Sequence, residues 1–154
     1  MDIKIKKMPI NKYNFNYYFK IIYKFRNDKD YLRLDSINKV LKKDSRIWLR
    51  KNIKNRIFFL IKYKNQNSGI FNFNKQRPTF SQVISKKFRK KKIGKISAIL
   101  LLKKLKKLKF YHLETYASKN NIASYKIHKS IAYKSELINN KKKIFKFFIN
   151  TRKY

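Results

Sequence analysis

The sequence predicts an α+β fold in which helices flank one mixed, mostly antiparallel β-sheet. Runs of β-branched and aromatic residues alternate with stretches of helical periodicity in the order β-α-α-β-β-β-α-β-α-β-β. Two of the β-type runs are joined by a short polar connection and predict a hairpin. The chain has 154 residues, 43% of them hydrophobic, and shows no repeat or linker, so we expect a single domain over 1–154.

The first half of the chain predicts one strand and two helices. Isoleucines alternate with lysines over residues 3 to 7, as in a short edge strand. Residues 12 to 26 carry apolar and aromatic side chains at helical spacing. A second helix is expected from Asp35 or Ser36, because Ser36 is a suitable N-cap, with a break at 44–45.

The middle of the chain predicts three strands and a helix. The apolar run 57–63, the polar turn 64–69 and the run 70–73 form the expected hairpin. Residues 79 to 85 are β-branched and predict a further strand. The segment 96–107 follows with leucine and isoleucine on one helical face.

The last third predicts a strand, a short helix and a closing pair of strands. The strand covers 110–117, and Asn121 is a good N-cap for a helix over 122–130. Strands over 133–138 and 144–149 flank a tight turn rich in asparagine and lysine.

The charge of the chain is extreme. There are 43 Lys and Arg residues against 7 Asp and Glu, a formal net charge of +36. One interpretation is a polyanionic partner such as RNA, DNA or the ribosome. The other is codon bias, because the chain is rich in Lys, Asn, Ile, Phe and Tyr and poor in Gly, Ala and Pro. Either way, weak nonspecific binding of nucleic acid is expected at low salt.

Composition also excludes several classes of site. With no cysteine and two histidines there is no disulfide frame, no thiolate site and no histidine-rich metal cluster, so we expect no metal. The N-terminus lacks the apolar core of a signal peptide, and the longest apolar run, 99–102, is far too short to span a membrane. A cytoplasmic location is therefore the expectation.

The stretch 89–98 is the most informative segment. It contains Gly94, one of two glycines in the chain, follows an extended run and opens into a helix. A basic turn at a helix N-terminus favours an anion. The alternative interpretation is a solvated basic helix start.

The segment Arg89-Lys90-Lys91-Lys92-Ile93-Gly94 resembles the acyl-CoA motif Arg/Gln-x-x-Gly-x-Gly/Ala of the GNAT (Gcn5-related) N-acetyltransferase superfamily. Arg89 and Gly94 match, and Lys92 stands where the first glycine would be. Gly69 lies where this family places a glycine entering its third strand. The resemblance covers nearly the whole chain.

A later segment, 121–133, resembles the family pattern Asn-x-x-Ser/Ala-x-x-hydrophobic-Tyr/His, which ends in Gly-Phe/Tyr. Four positions match the pattern: Asn121, Ser124, His128 and Tyr133. Ala132 replaces the glycine. In addition, 25–27 resembles the Trp-Arg-Asn of the ribosomal-protein-alanine and sugar-amine branches. Trp48-Leu49 resembles the branch that acetylates UDP-linked amino sugars in pseudaminic acid synthesis.

The resemblance implies acetyl-CoA as cosubstrate. It assigns the pyrophosphate to the turn made of Arg89, Lys90, Lys91, Lys92, Ile93, Gly94 and Lys95. A backbone N–H of Val83 or Ile84 would polarise the thioester carbonyl, and the pantetheine arm would pair with residues 82 to 84. Asn121 would bind the cofactor arm, cap its helix, or do both.

The resemblance also implies catalytic roles. His128 stands where the family has the tyrosine that protonates the leaving thiolate, and Tyr125 is a second candidate. Glu114 is the candidate general base. Two alternatives stay open: His128 as a surface histidine, and Glu114 as a charge that balances nearby lysines.

The expected function is therefore acetyl transfer from acetyl-CoA to a primary amine of a small molecule, with a nucleotide-linked amino sugar as the finer hypothesis. Residues 12–56 and 74–78 would set specificity. Two alternatives remain. One is a ribosome- or RNA-associated basic protein on a degenerate acetyltransferase fold, and the other is a protein N-terminal acetyltransferase.

Overall fold

A computed structural model describes residues 2–29, 32 and 38–154. Its helices and strands follow the predicted order. They are β1 (Ile3–Lys7), α1 (Phe15–Arg26), α2 (Lys42–Asn52), β2 (Arg56–Tyr63), β3 (Gln66–Asn74), β4 (Thr79–Ile84), α3 (Ile93–Lys107), β5 (His112–Ser118), α4 (Ile122–Ile131), β6 (Lys134–Asn139) and β7 (Ile144–Asn150). None of the described helices is long and apolar enough to cross a bilayer.

The strands form one seven-stranded sheet in the order β1-β2-β3-β4-β5-β7-β6. Every neighbouring pair is antiparallel except β4 and β5, which run parallel. Those two strands share a single register pair, Thr79 opposite Glu114. The prediction of a mixed, mostly antiparallel sheet flanked by helices is confirmed.

Each face of the sheet has its own core. One core lies under α3 and α4 and is built on side chains such as Phe71, Phe73, Phe80, Leu101 and Leu105. The other lies under α1 and α2 and includes Phe19, Leu49, Phe58, Ile70 and Val83. Successive residues of β4 point to opposite faces, so this strand contributes to both cores.

The predicted turn over 64–69 is wrong in length. The hairpin turns on Lys64 and Asn65 alone, with φ of 46° and 61°. Gly69 lies inside β3, opposite Ile61. The pairing shifts register after Ile61, which leaves Ser68 as an extra residue in β3. A Cβ on Gly69 would lie 2.2 Å from the Val83 carbonyl oxygen, so close backbone approach requires the glycine.

The predicted break at 44–45 is also wrong, since both residues lie inside α2. Helix α2 starts at Lys42, after residues 38–41, which are not helical, and the expected start at Asp35 or Ser36 lies outside the described residues. Helix α1 begins at Phe15 rather than at residue 12. The side chains of Asn11 and Asn14 bond to backbone N–H groups there and compete with helix formation.

Two other boundaries differ by two or three residues. Helix α3 begins at Ile93, three residues before the expected start, and β5 begins at His112 rather than at 110. Lys109 takes a left-handed conformation (φ 64°), and Phe110 N–H bonds to the Leu105 carbonyl. This helix C-cap uses residues that the sequence pattern assigned to the strand.

Candidate active site

The gap between β4 and β5 organises the site. Beside their register pair, Glu114 N–H donates to the Pro78 carbonyl (2.8 Å), and Thr115 Oγ1 donates to the Phe80 carbonyl (3.1 Å). No later residues of the two strands pair in the described structure. The strands therefore part beyond Phe80 and leave an opening in the sheet.

Backbone groups of β4 line this opening. In a strand, the N–H and C=O of one residue point to one side and those of the next residue to the other. The Phe80 carbonyl faces β5, so the backbone groups of Gln82 and Ile84 do too. Those of Val83 face β3, where Val83 lies opposite Ile70. The Ile84 N–H therefore faces the opening, whereas the Val83 N–H faces β3, so of the two predicted carbonyl-polarising groups only that of Ile84 is directed at the opening.

The start of α3 lies beyond the end of β4. Lys90 and Lys92 both adopt left-handed backbone, with φ of 60° and 57°. The first helical bond runs from Ile96 N–H to the Lys92 carbonyl (3.1 Å). The backbone N–H groups of Ile93, Gly94 and Lys95 therefore have no intrahelical acceptor, and the first turn carries no acidic residue. This end of the helix favours an anion.

Two residues of the predicted phosphate motif make structural contacts. Arg89 Nε donates to the Ile84 carbonyl (3.0 Å), and its guanidinium lies 3.7 Å from the Asp28 carboxylate after α1. A Cβ on Gly94 would lie 2.7 Å from Ile127 Cδ1, so the glycine lets α3 pack closely against α4. Lys90, Lys91, Lys92 and Lys95 have exposed side chains.

The side chain of Gln82 also belongs to this site, although no sequence pattern pointed to it. Its Nε2 donates to the Gly94 carbonyl (3.0 Å) and to Ser97 Oγ (2.8 Å), and Ser97 Oγ bonds in turn to the Ile93 carbonyl (2.7 Å). Gln82 thereby ties β4 to the first turn of α3. A polar residue within a β-branched run was the only signal in the sequence.

His128 lies against the point where the two strands part. Its side chain is only 3% exposed, so the alternative of a surface histidine is wrong. The ring packs edge-on between Phe80 and Phe147, with centroids 5.7 Å apart in both cases. Burial lowers the pKa of His128 from 6.5 to about 4, so the imidazole is neutral at pH 7.

The hydrogen bonds around Thr115 define the tautomer of this ring. Thr115 Oγ1 lies 3.2 Å from His128 Nδ1 and donates its one proton to the Phe80 carbonyl. In this arrangement the hydroxyl oxygen accepts from the histidine, which assigns the ring proton to Nδ1. Nε2 of the neutral ring is then an acceptor and has no proton to donate. His128 would therefore have to gain a proton before it could protonate a thiolate, and its role as proton donor stays a prediction.

The other two candidate catalytic residues lie elsewhere. Glu114 faces away from Thr115, on the opposite side of the sheet, where its carboxylate is 2.7 Å from Lys146 Nζ and accepts from Tyr116 OH (2.9 Å). The hydrogen bond from Lys146 is the main cause that lowers the pKa of Glu114. These contacts fit charge balance, and the role of Glu114 as general base stays a prediction. Tyr125 packs edge-on against Phe145 and Phe147.

Asn121 acts as an N-cap. Its side chain accepts from Ser124 N–H (3.3 Å) at the start of α4, and the residue is buried. In the described part of the chain, no group of three His, Cys, Asp or Glu side chains could hold a metal ion.

A cavity of about 410 Å³ lies on the opposite face, between α1, α2 and the sheet. Ser81 and Val83 of β4 form its floor near the opening. The remaining lining residues are Phe19, Ile22, Tyr23, Arg26, Val40, Asp44, Ser45, Trp48, Leu49, Phe58, Ile70 and Asn72. Most of the wall comes from the 12–56 region, while residues 76–78 line a separate surface cleft with Glu114.

Comparison by sequence finds no match, because no family model and no curated protein resembles this chain. Comparison with solved structures does find matches. A domain from Methanocaldococcus jannaschii is 21% identical and matches with a TM-score of 0.75 over 97% of this chain and 99% of that one. Spermidine N-acetyltransferase from Vibrio cholerae, in complex with CoA and spermine, is 9% identical and matches with a TM-score of 0.75 over 99% and 97%.

A third structure, an acetyltransferase of the GNAT family from Streptococcus pneumoniae, is 13% identical. It matches with a TM-score of 0.65 over 97% of this chain and 100% of that one. Near-complete coverage in both directions means that the similarity extends over the whole sheet and its helices. This chain has the fold of the GNAT N-acetyltransferase superfamily.

Proposed function

We propose that the protein is an N-acetyltransferase that moves an acetyl group from acetyl-CoA to a primary amine of a small molecule. One observation carries this proposal. The opening between β4 and β5 has a basic helix N-terminus on one side and an apolar cavity on the other. Cosubstrate and acceptor would meet at this opening from opposite faces.

The residues present fit the cosubstrate. The free N–H groups of Ile93, Gly94 and Lys95 would bind the pyrophosphate, with the helix dipole and surrounding lysines adding attraction. The backbone of Gln82 and the N–H of Ile84 would pair with the pantetheine amides. The Vibrio cholerae enzyme of the same fold was crystallised with CoA, which supports this assignment.

Acetyl transfer forms a C–N bond, breaks the C–S bond and moves one proton from nitrogen to sulfur. A neutral His128 with a bare Nε2 would take that proton from the attacking nitrogen and return it to the leaving sulfur. Thr115 would act as a positioning residue, because it holds the ring in the required tautomer.

Calorimetry with acetyl-CoA in moderate salt tests the cosubstrate assignment. We expect saturable binding with one site per chain, followed by CoA release when a suitable amine is added. CoA alone should compete, whereas inorganic polyphosphate should compete only at low salt. A folded protein that ignores acetyl-CoA in moderate salt would contradict the proposal.

The net charge favours a second candidate, a basic protein associated with the ribosome or RNA on a degenerate acetyltransferase fold. An acetyltransferase that modifies a protein N-terminus would lie between the two. Binding to ribosomes that persists in high salt, with no response to acetyl-CoA, would favour the second candidate. Turnover of N-terminal peptides in place of small amines would favour the protein N-terminal acetyltransferase.

A further inference from the structure

The arginines of this chain are concentrated around the cavity. Only eight of the 43 Lys and Arg residues are arginine. Four of these eight are on α1, on α2 or at the start of β2, the elements that enclose the cavity: Arg26, Arg46, Arg50 and Arg56. On the cosubstrate side, the exposed charges of the turn before α3 are lysines, and Arg89 there lies 3.7 Å from Asp28.

Two of these guanidinium groups contact residues of the cavity wall. The Arg56 guanidinium lies 5.0 Å from the centre of the Trp48 ring, and its Nη1 donates to Asn72 Oδ1 (3.2 Å). The Arg46 guanidinium lies 4.7 Å from the centre of the Phe19 ring. Arg50 is 5.4 Å from the Phe15 ring, on the neighbouring turn of α1. Aromatic rings thus hold Arg46 and Arg56 against residues of the cavity wall, and Arg56 itself lines the neighbouring cleft beside Phe58.

These three arginines have no carboxylate within ion-pair distance among the described residues. Arg56 is half-buried, and desolvation lowers its pKa. Asp44 is the only carboxylate among the described residues of the cavity wall, and it forms no ion pair with them. A partly desolvated guanidinium without a counter-ion is costly, and a bound phosphate or carboxylate offsets this cost through bidentate hydrogen bonds.

We infer that the acceptor is an amine that carries an anionic group, a phosphate or a carboxylate, and that Arg56 on Trp48 is the centre of the subsite that binds it. This inference rests on the proposed function. The apolar walls would hold the body of the acceptor, with its amine directed to Ser81 and Val83. The net charge of the protein attracts such acceptors and repels polycationic amines.

Matched amines test the inference in two series. Butylamine, 4-aminobutyrate and putrescine share a four-carbon body and end in a neutral, an anionic and a cationic group. Glucosamine and glucosamine 6-phosphate differ by one phosphate, so the two series separate carboxylate from phosphate as the preferred anion. Binding is followed by the fluorescence of Trp48, the only tryptophan, and acetyl transfer by CoA release.

We expect an anionic member of at least one series to bind about tenfold more tightly than its neutral partner, and putrescine to bind more weakly than butylamine. Arg56→Gln should remove this preference, so that the anionic and neutral members of a series bind about equally. Arg56→Lys should retain only part of it, because an ammonium lacks the planar fork. Arg152→Gln makes the same charge change at an arginine that stacks on Tyr111 (4.6 Å), and should retain the full preference.

Equal binding of neutral and anionic members, or tighter binding of putrescine, would overturn the inference. So would equal effects of Arg56→Gln and Arg152→Gln. Circular dichroism confirms that each variant is folded. Fluorescence reports on the anion subsite without turnover, and calorimetry with acetyl-CoA reports on the proposed function separately. A failure of one is therefore distinguishable from a failure of the other.

Discussion

At the residue scale, burial decides what His128 can do. The ring is enclosed by Phe80, Phe147 and Thr115, each from a different strand. An apolar surround opposes the imidazolium, and the Thr115 hydroxyl is already committed to the Phe80 carbonyl. In the reaction proposed above, the side chain would therefore act first as a proton acceptor.

This environment predicts a pH dependence of stability. The pKa of His128 is lowered to about 4 in the folded protein, below 6.5 in the unfolded chain. The unfolded state then binds more protons in this window, so the contribution of His128 is present above pH 6.5 and is lost as the pH falls towards 4. Between pH 7 and pH 4, the unfolding free energy of the wild type should fall by about 3 kcal/mol more than that of His128→Phe. Denaturant titrations from pH 4 to 7 measure it.

Two controls accompany this measurement. His112→Gln, at an exposed histidine of β5, should keep the wild-type pH dependence. In ¹⁵N NMR spectra at neutral pH, wild type and Thr115→Ser should show a proton on Nδ1 of His128, whereas Thr115→Val should lose this preference. Parallel stability curves for wild type and His128→Phe, or a proton on Nε2 in wild type, would contradict the assignment.

At the scale of elements, the connection from β4 to α3 holds two lysines in left-handed backbone. Lys92 is the N-cap of α3 and Lys90 lies two residues before it, both with exposed side chains. Left-handed backbone costs a non-glycine residue about 1 kcal/mol. The strained conformation places the N–H groups of Ile93, Gly94 and Lys95 at the end of the helix, where an anion would bind.

We therefore expect Lys92→Gly to raise the unfolding free energy by up to about 1 kcal/mol, because glycine adopts this backbone without strain. Acetyl-CoA binding should persist, with a loss no larger than that from Lys95→Gln, which removes one positive charge in the same turn. Lys91→Gly is the matched control, since Lys91 has no positive φ and should gain nothing. Thermal unfolding and calorimetry measure the two effects. A stability loss in Lys92→Gly would refute the explanation from strain.

At the scale of the whole molecule, the net charge of +36 dominates. The described residues contain few ion pairs, such as Lys146 with Glu114 and Arg89 with Asp28. Most of the positive charge is therefore uncompensated and repels itself. Such repulsion destabilises a compact state and is screened by salt.

The melting temperature should accordingly rise as sodium chloride increases from about 0.02 M to 0.5 M, as the Debye length falls below about 5 Å. Sucrose at equal osmolality is the control for excluded-volume effects. The melting temperature should still rise with salt when sucrose is present. Thermal scans by circular dichroism provide the measurement. A melting temperature that stays level or falls with salt would mean that self-repulsion is not limiting stability.

The order of elements could be predicted because periodicity and turn composition are local properties. The predicted ends of helices and strands were wrong where a side chain or a backbone contact determines them. The side chains of Asn11 and Asn14 delay α1, and the cap at the left-handed Lys109 keeps residues 110–111 out of β5. Such hydrogen bonds depend on partners that the spacing of apolar residues does not indicate.

The sequence by itself determined the architecture, the basic helix start after β4 and the position of His128 on α4. Only the tertiary structure decided how these parts act. The side of β4 on which each N–H points depends on register, which favours Ile84 over Val83. The state of His128 depends on Thr115 and Phe80, which are distant in the chain. Arg46 and Arg56 contact residues of the cavity wall because α1, α2 and β2 converge there, and convergence of remote residues is a property of packing.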